Sequence, residues 1–142
     1  MITKKGSAVW TGDFKQGSGT ISTETGVLDN AAYGAKSRFE GGQGTNPEEL
    51  LAAAHAACFS MAFSLMLGEA GMTPSEIHTD AAVSLDKVGD GFAITSSHLT
   101  VRAKVPGADQ AKFDQIAEQA KAGCPVSKLF NTEISMDATL QA

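Results

Sequence analysis

A chain of 142 residues, 42% hydrophobic and 19% charged, fits one domain with a sizeable core and little heavily solvated surface. The net charge of −5, with eleven scattered Lys and Arg, excludes a nucleic-acid partner, because phosphate backbones need clustered cations. The two cysteines, Cys58 and Cys124, stand 66 positions apart and make neither a disulfide scaffold nor a zinc pattern.

Met1 to Gly6 carries charges with no apolar run behind them, so no signal peptide is predicted. The expected location is the cytoplasm, with both thiols reduced. The first forty residues read as strands: Val9–Thr11, Thr20–Thr23 and Lys36–Glu40 mix β-formers with polar residues, and glycines punctuate them. Gly41-Gly42-Gln43-Gly44 then makes a bend.

Asn46-Pro47-Glu48-Glu49 is a helix start, with Asn46 as N-cap, Pro47 at the first helical position and acids in the first turn. The helix is predicted to run to Glu69 or Ala70, where Gly71 closes it and Pro74 prevents continuation. Leu51, Ala54, Cys58, Met61 and Leu65 recur at spacings of three and four, which puts Cys58 in the middle of an apolar stripe. The other faces are apolar too, so the helix is expected to be buried all round, and a domain of this size needs a partner chain to bury it. Leu50 to Gly68 has no formal charge over 19 residues, near the length of a membrane span. It lacks flanking Lys or Arg and contains His55, Ser60 and Ser64, so a buried helix is the reading and no membrane is expected.

Strands are predicted over Ala81–Leu85 and Phe92–Val105, joined by a turn from Lys87 to Gly91. A helix follows from Ala108 to Lys121, with Phe113, Ile116, Ala117 and Ala120 as its apolar face. A short helix, Val126 to Phe130, has Cys124 at its N-cap, and a last strand spans Glu133 to Leu140. The order predicts a single α+β domain over residues 1–142 with antiparallel pairing.

Local context alone leaves the chemistry open. Cys58 lies among Ala, Phe and Met, a setting that raises a thiol's pKa and makes it inert. Cys124, at an N-cap, faces free amides that favour thiolate. Arg38 beside a thiol lowers its pKa and can hold a leaving oxyanion, and Glu48 can fix that guanidinium by paired hydrogen bonds. Each also has a plain structural reading, Arg38 as a solvated strand residue and Glu48 as a helix-dipole acid. His55 is either the base of a Cys-His nucleophile or a hydrogen-bonded core residue, and no orienting carboxylate is near it on the helix. His78 and His98 show no metal-ligand spacing.

Arg38-Phe39-Glu40-Gly41, Gly44-Thr45-Asn46-Pro47-Glu48-Glu49-Leu50, Ala53-Ala54-His55-Ala56-Ala57-Cys58-Phe59-Ser60-Met61 and Ala122-Gly123-Cys124-Pro125-Val126-Ser127 together resemble the OsmC/Ohr family, nearest to its OsmC branch. The resemblance covers essentially the whole chain, with both cysteines in register. It implies an intertwined homodimer in which antiparallel sheets wrap long central helices. It implies a stress-defence peroxidase acting on organic hydroperoxides, with Cys58 peroxidatic, Cys124 resolving, and Arg38 and Glu48 beside them. It implies no metal or organic cofactor, only an external dithiol reductant, which for some family members is a lipoylated protein. Two rival readings are a non-enzymatic dimeric stress protein that binds small apolar ligands and a Cys58–His55 hydrolase. The residues around Cys58, among them Ala54, Ala57, Phe59, Met61 and Ala62, are expected to offer apolar surface to an alkyl or aryl peroxide.

Overall fold

A computed structural model describes residues 1–141. Two units make up the chain, one ending at Leu50 and the other beginning at Leu51. In the first, β1 (Gly6–Thr11), β2 (Ser18–Thr23) and β3 (Ala31–Tyr33) form an antiparallel sheet in that order. Trp10 and Tyr33 meet over Gly19 with centroids 5.5 Å apart, where a Cβ would lie 2.5 Å from the Tyr33 ring.

The next segment differs from the expectation. Lys36–Glu40 is not a strand: Ala35–Phe39 forms a short helix, α1. Its alternating pattern suits a strand, but Ser37 overrides it. The buried Ser37 hydroxyl accepts from the Gly34 N–H at 3.0 Å and donates to the Thr45 carbonyl at 2.9 Å, which fixes a tight turn. Thr45 in turn donates its N–H to the Ala32 carbonyl at 2.8 Å. Only glycine fits just before it: Gly44 has φ +101°, and a Cβ there would stand 2.5 Å from the Ala32 oxygen.

Helix α2 (Pro47–Glu69) starts as its sequence dictates, with the Asn46 side-chain oxygen accepting the Glu49 N–H at 2.8 Å. It ends at Gly71, whose φ of +84° lets the Met72 N–H reach back to the Leu67 carbonyl at 2.9 Å. Among the described residues it is the one helix long and apolar enough to cross a membrane, by length and composition. Its inward stripe is His55, Phe59, Phe63 and Leu67, all at 0% exposure. The predicted stripe through Leu51, Ala54, Met61 and Leu65 is therefore displaced: Met61 and Leu65 are 77% and 64% exposed, and Cys58 sits at the margin of the core. The helix is apolar on every face, so periodicity alone did not choose between them.

In the second unit β4 (Glu76–Val88) and β5 (Gly91–Lys104) pair antiparallel around a two-residue turn, Gly89-Asp90. α3 (Gln110–Gly123) is capped by Asp109, whose side chain accepts the Lys112 N–H at 2.7 Å. It leads into α4 (Pro125–Leu129) and β6 (Glu133–Gln141). β6 pairs parallel with β5, against the expectation of antiparallel pairing throughout. The reason is the connection: β5 to β6 passes through two helices, which return the chain to the same end of the sheet. Leu99, Val101 and Ala103 of β5, Phe113, Ile116, Ala117 and Ala120 of α3, and Phe59, Phe63 and Leu67 of α2 make the core.

Candidate functional site

The core of the second unit brings the two cysteines together. Cys124 closes α3 and precedes Pro125, so it is fixed by two helix ends, and it is fully buried. Cys58, half-buried on α2, packs against the core that contains Cys124, and the Cys124 thiol and the Val126 backbone N–H both act on its titration. Burial pushes the Cys58 thiol up, the Val126 amide opposes that rise, and the neighbouring Cys124 adds to it. The apolar setting thus does to Cys58 what its sequence context predicted.

Cys124 is the N-cap residue of α4, as its sequence position predicts, but the amides its thiol was expected to face do not bond it. Its side chain makes no cap hydrogen bond. Pro125 has no N–H to give. At this helix end the Val126 amide acts to lower the pKa of the other thiol, Cys58.

His55, one turn before Cys58, is bonded at both ring nitrogens: Nδ1 to the Ser97 hydroxyl at 2.7 Å and Nε2 to the Ser127 hydroxyl at 2.8 Å. The Phe130 ring meets the imidazole edge-on at 5.1 Å. Burial lowers the His55 pKa below its ordinary 6.5. Neither nitrogen is directed at a thiol, so the arrangement is that of a core histidine and not of a Cys-His base. His78 accepts from Arg102 at 3.0 Å, and His98 lies between Ser135 at 2.6 Å and Asp137 at 3.1 Å. No three His, Cys, Asp or Glu side chains assemble as a metal set among the described residues.

The first unit holds the other pair. Arg38, on α1 and not on a strand, donates from Nε to Glu48 Oε1 at 2.9 Å. The Glu48 side chain is 10% exposed and that of Arg38 is 35% exposed. Glu48 Oε2 is buried with no hydrogen-bond partner among the described residues. One bond is therefore made where two were expected. Asn46 Nδ2 bonds the Ser37 carbonyl at 3.0 Å, which ties α1 to the start of α2 and sets this pair. The Arg38 guanidinium lies 5.4 Å from the Phe39 ring centroid. Trp10, Phe14, Tyr33, Ala35 and Phe39 line a cavity of about 240 Å³ with Arg38 on its wall. Sequence reasoning did not find this cavity; Trp10 and Phe14 lie far from Arg38 in the chain, and an exposed aromatic on a hairpin carries no signal of its own.

In the second unit, two thiols in one core with a backbone amide acting on one of them are groups suited to thiol redox chemistry. The sequence profile described as OsmC-like protein matches residues 40–139. The chain belongs to the OsmC-like family. It is 60% identical over 141 residues to the peroxiredoxin OsmC of Escherichia coli (strain K12), covering 99% of both chains. It is 35% identical over 101 residues to the organic hydroperoxide resistance protein of Xanthomonas axonopodis pv. citri (strain 306), covering 70% of this chain and 69% of that one. Among solved structures, OhrB of Bacillus subtilis, an organic hydroperoxide resistance protein, superposes with a TM-score of 0.69 at 28% identity, over 99% of this chain and 98% of that one. The OsmC-like match includes Glu48, Cys58 and Cys124, while Arg38 and the aromatic cavity lie before or at its edge.

Proposed function

We propose that this OsmC-like chain is a cysteine peroxidase that reduces organic hydroperoxides to alcohols in stress defence. The observation that carries the reading is that the fold brings Cys58 and Cys124, 66 positions apart in sequence, into the same core, close enough for one thiol to act on the other's titration. The peroxidase names of relatives at 60% and 35% identity support the same reaction. The Cys58 thiolate attacks the terminal peroxide oxygen, the O–O bond breaks, and the alkoxide leaves and takes a proton. Cys58 is then a sulfenic acid. The Cys124 thiol attacks that sulfur; the S–S bond forms, the S–O bond breaks, and hydroxide leaves with the thiol proton as water. An external dithiol reduces the disulfide and restores both thiols.

Burial makes Cys58 a poor thiolate by itself, so the reaction needs a cation. Arg38 is the group we assign to that work: it stabilises the thiolate and holds the departing alkoxide. Glu48 orients it through the Nε bond, and its free Oε2 offers a second acceptor for the guanidinium fork. The aromatic cavity beside Arg38 takes the organic group of the peroxide. Of the apolar residues expected next to Cys58, Phe59 faces the core, while Ala54, Ala57 and Met61 are exposed and remain open to an alkyl or aryl group.

The active form in this reading is a homodimer in the cytoplasm. Met61 and Leu65 leave an open apolar face on α2, and a second copy covers it. Sedimentation at micromolar concentration should give twice the 14.7 kDa chain mass, and a single-chain mass would remove this part of the account. The function itself is tested by mixing fully reduced protein with cumene hydroperoxide. One equivalent per chain should be consumed with loss of two thiols; unreacted peroxide beside intact thiols would leave only a ligand-binding protein.

A further inference from the structure

His55 is the buried titratable group that the reaction above does not use. It stands three residues before Cys58 on α2, and its partner Ser127 stands three residues after Cys124 on α4. Its other partner, Ser97, belongs to β5, the central strand of the sheet. Two hydrogen bonds through one imidazole thus join the helix of the first thiol, the strand beneath it and the helix of the second. All three side chains are buried, His55 and Ser97 completely. A neutral imidazole has one donor and one acceptor nitrogen, and a serine hydroxyl can serve either, so the chain closes without a charge.

α4 has need of such an anchor. It spans only Pro125–Leu129, and its start has no side-chain cap. Leu129 is 75% exposed, and Phe130, the C-cap of the helix, packs edge-on against the ring of His55 itself. Ser127 is its buried residue, and the bond from Ser127 to His55 ties it to α2 one turn away from Cys58. The same short turn carries the Cys124 thiol and the Val126 N–H, the two groups that act on the Cys58 titration.

We propose that His55 is a positioning residue for the second chemical step: through Ser127 it holds the first turn of α4, and with it Cys124, at the place where the Cys58 sulfenic acid can be attacked. The inference rests on the peroxidase reading and deepens it. Disulfide formation demands an S–S distance of about 2.05 Å and a narrow dihedral range, so a small drift of α4 takes Cys124 out of reach. A misplacement of about 1 Å can slow an oriented reaction by about a hundredfold. Attack of Cys58 on peroxide uses no atom of α4 except the Val126 amide and is less sensitive to that drift. His55 acts on neither sulfur; it fixes the distance between them.

The test separates the two steps in Ser127→Ala, Ser127→Thr and His55→Gln, each mixed with cumene hydroperoxide. Loss of the Cys58 thiolate is followed by stopped flow, and sulfenic acid is trapped with dimedone at timed intervals and read by mass. In the unmutated protein the sulfenic acid should be short-lived and give the Cys58–Cys124 disulfide. Ser127→Ala should oxidise Cys58 within a few-fold of the normal rate but close the disulfide about tenfold to a hundredfold more slowly, with dimedone adduct accumulating. Ser127→Thr keeps the hydroxyl and should restore fast closure. The proposal is overturned if Ser127→Ala closes at the normal rate, or if both steps slow together and Thr rescues neither, which is the mark of general loosening. His55→Gln should behave as Ser127→Ala; if it does not fold, the serine pair decides alone. Should the unmutated protein form no such disulfide, the peroxidase reading itself has failed, an outcome distinct from normal closure in Ser127→Ala.

Discussion

Cys58 packs against the core that holds Cys124, and the neighbouring His55 is bonded at each ring nitrogen. Glu48, by contrast, makes one bond to Arg38 and buries a second oxygen with no partner, while a third of the Arg38 side chain stays open to solvent. The thiol region is closed and satisfied; the charged region is half satisfied and open. The difference matches what the proposed reaction asks of each. Covalent closure between two sulfurs needs fixed distance, and fixed distance needs a core. Recognition of an arriving peroxide needs a group that can still gain a partner, and an unsatisfied buried oxygen disfavours the present arrangement by about 1–3 kcal/mol until it does.

The largest expected effect breaks the closed region. Cys58→Ser should abolish peroxide consumption, whereas Cys124→Ser should permit one oxidation and leave a trappable sulfenic acid on Cys58. The opposite pattern in dimedone labelling would exchange the two roles. Next comes the open region. Arg38→Ala should slow the oxidation of Cys58 by about a hundredfold to a thousandfold, the loss of one oxyanion donor. Because the guanidinium meets oxygen and not carbon, the ranking of peroxides should survive; a reordered ranking would place Arg38 in substrate selection.

Selection itself sets a smaller effect. Burying about 100 Å² of a cumyl or butyl group at about 25 cal/mol per Å² gives about 2.5 kcal/mol. That predicts a kcat/KM for cumene hydroperoxide above that for hydrogen peroxide by about one to two orders of magnitude. Trp10→Ala or Phe14→Ala should narrow the gap by removing cavity wall beside Arg38, with hydrogen peroxide little changed. Equal losses for both peroxides would assign the selection elsewhere.

The smallest effect is on stability. The folded state holds His55 neutral, with its pKa below 6.5, while the unfolded chain takes up a proton as pH falls through 6.5. The contribution is therefore present above pH 6.5 and lost as pH falls toward the lower folded value, with a slope of at most about 1.4 kcal/mol per pH unit for one proton. His55→Gln should flatten urea-midpoint profiles below pH 6.5, and an unchanged slope would mean that His55 titrates alike in the folded and unfolded chain.

What the sequence disclosed and what it withheld divide along the range of the interactions. The ends of α2 were legible because Asn46, Pro47 and Gly71 act on backbone within a turn of themselves. The family was legible because its motifs lie in the same runs. The strand expected at Lys36–Glu40 was wrong because the bond that decides it joins Ser37 to Thr45, across a bend whose course only Gly44 permits. The parallel β6 was missed because strand propensity carries no direction. The inward face of α2 was unreadable in a helix with no polar side. His55 remained ambiguous because its partners are 42 and 72 positions away, and two serines in unrelated segments announce nothing.

The measurement that bears most directly on the whole account is peptide mapping of the fully reduced protein after one equivalent of cumene hydroperoxide. The account predicts a Cys58–Cys124 disulfide within one chain, formed in proportion to peroxide consumed, with no bond between chains. Recovery of both cysteines as free thiols, or of bonds only between chains, would contradict it.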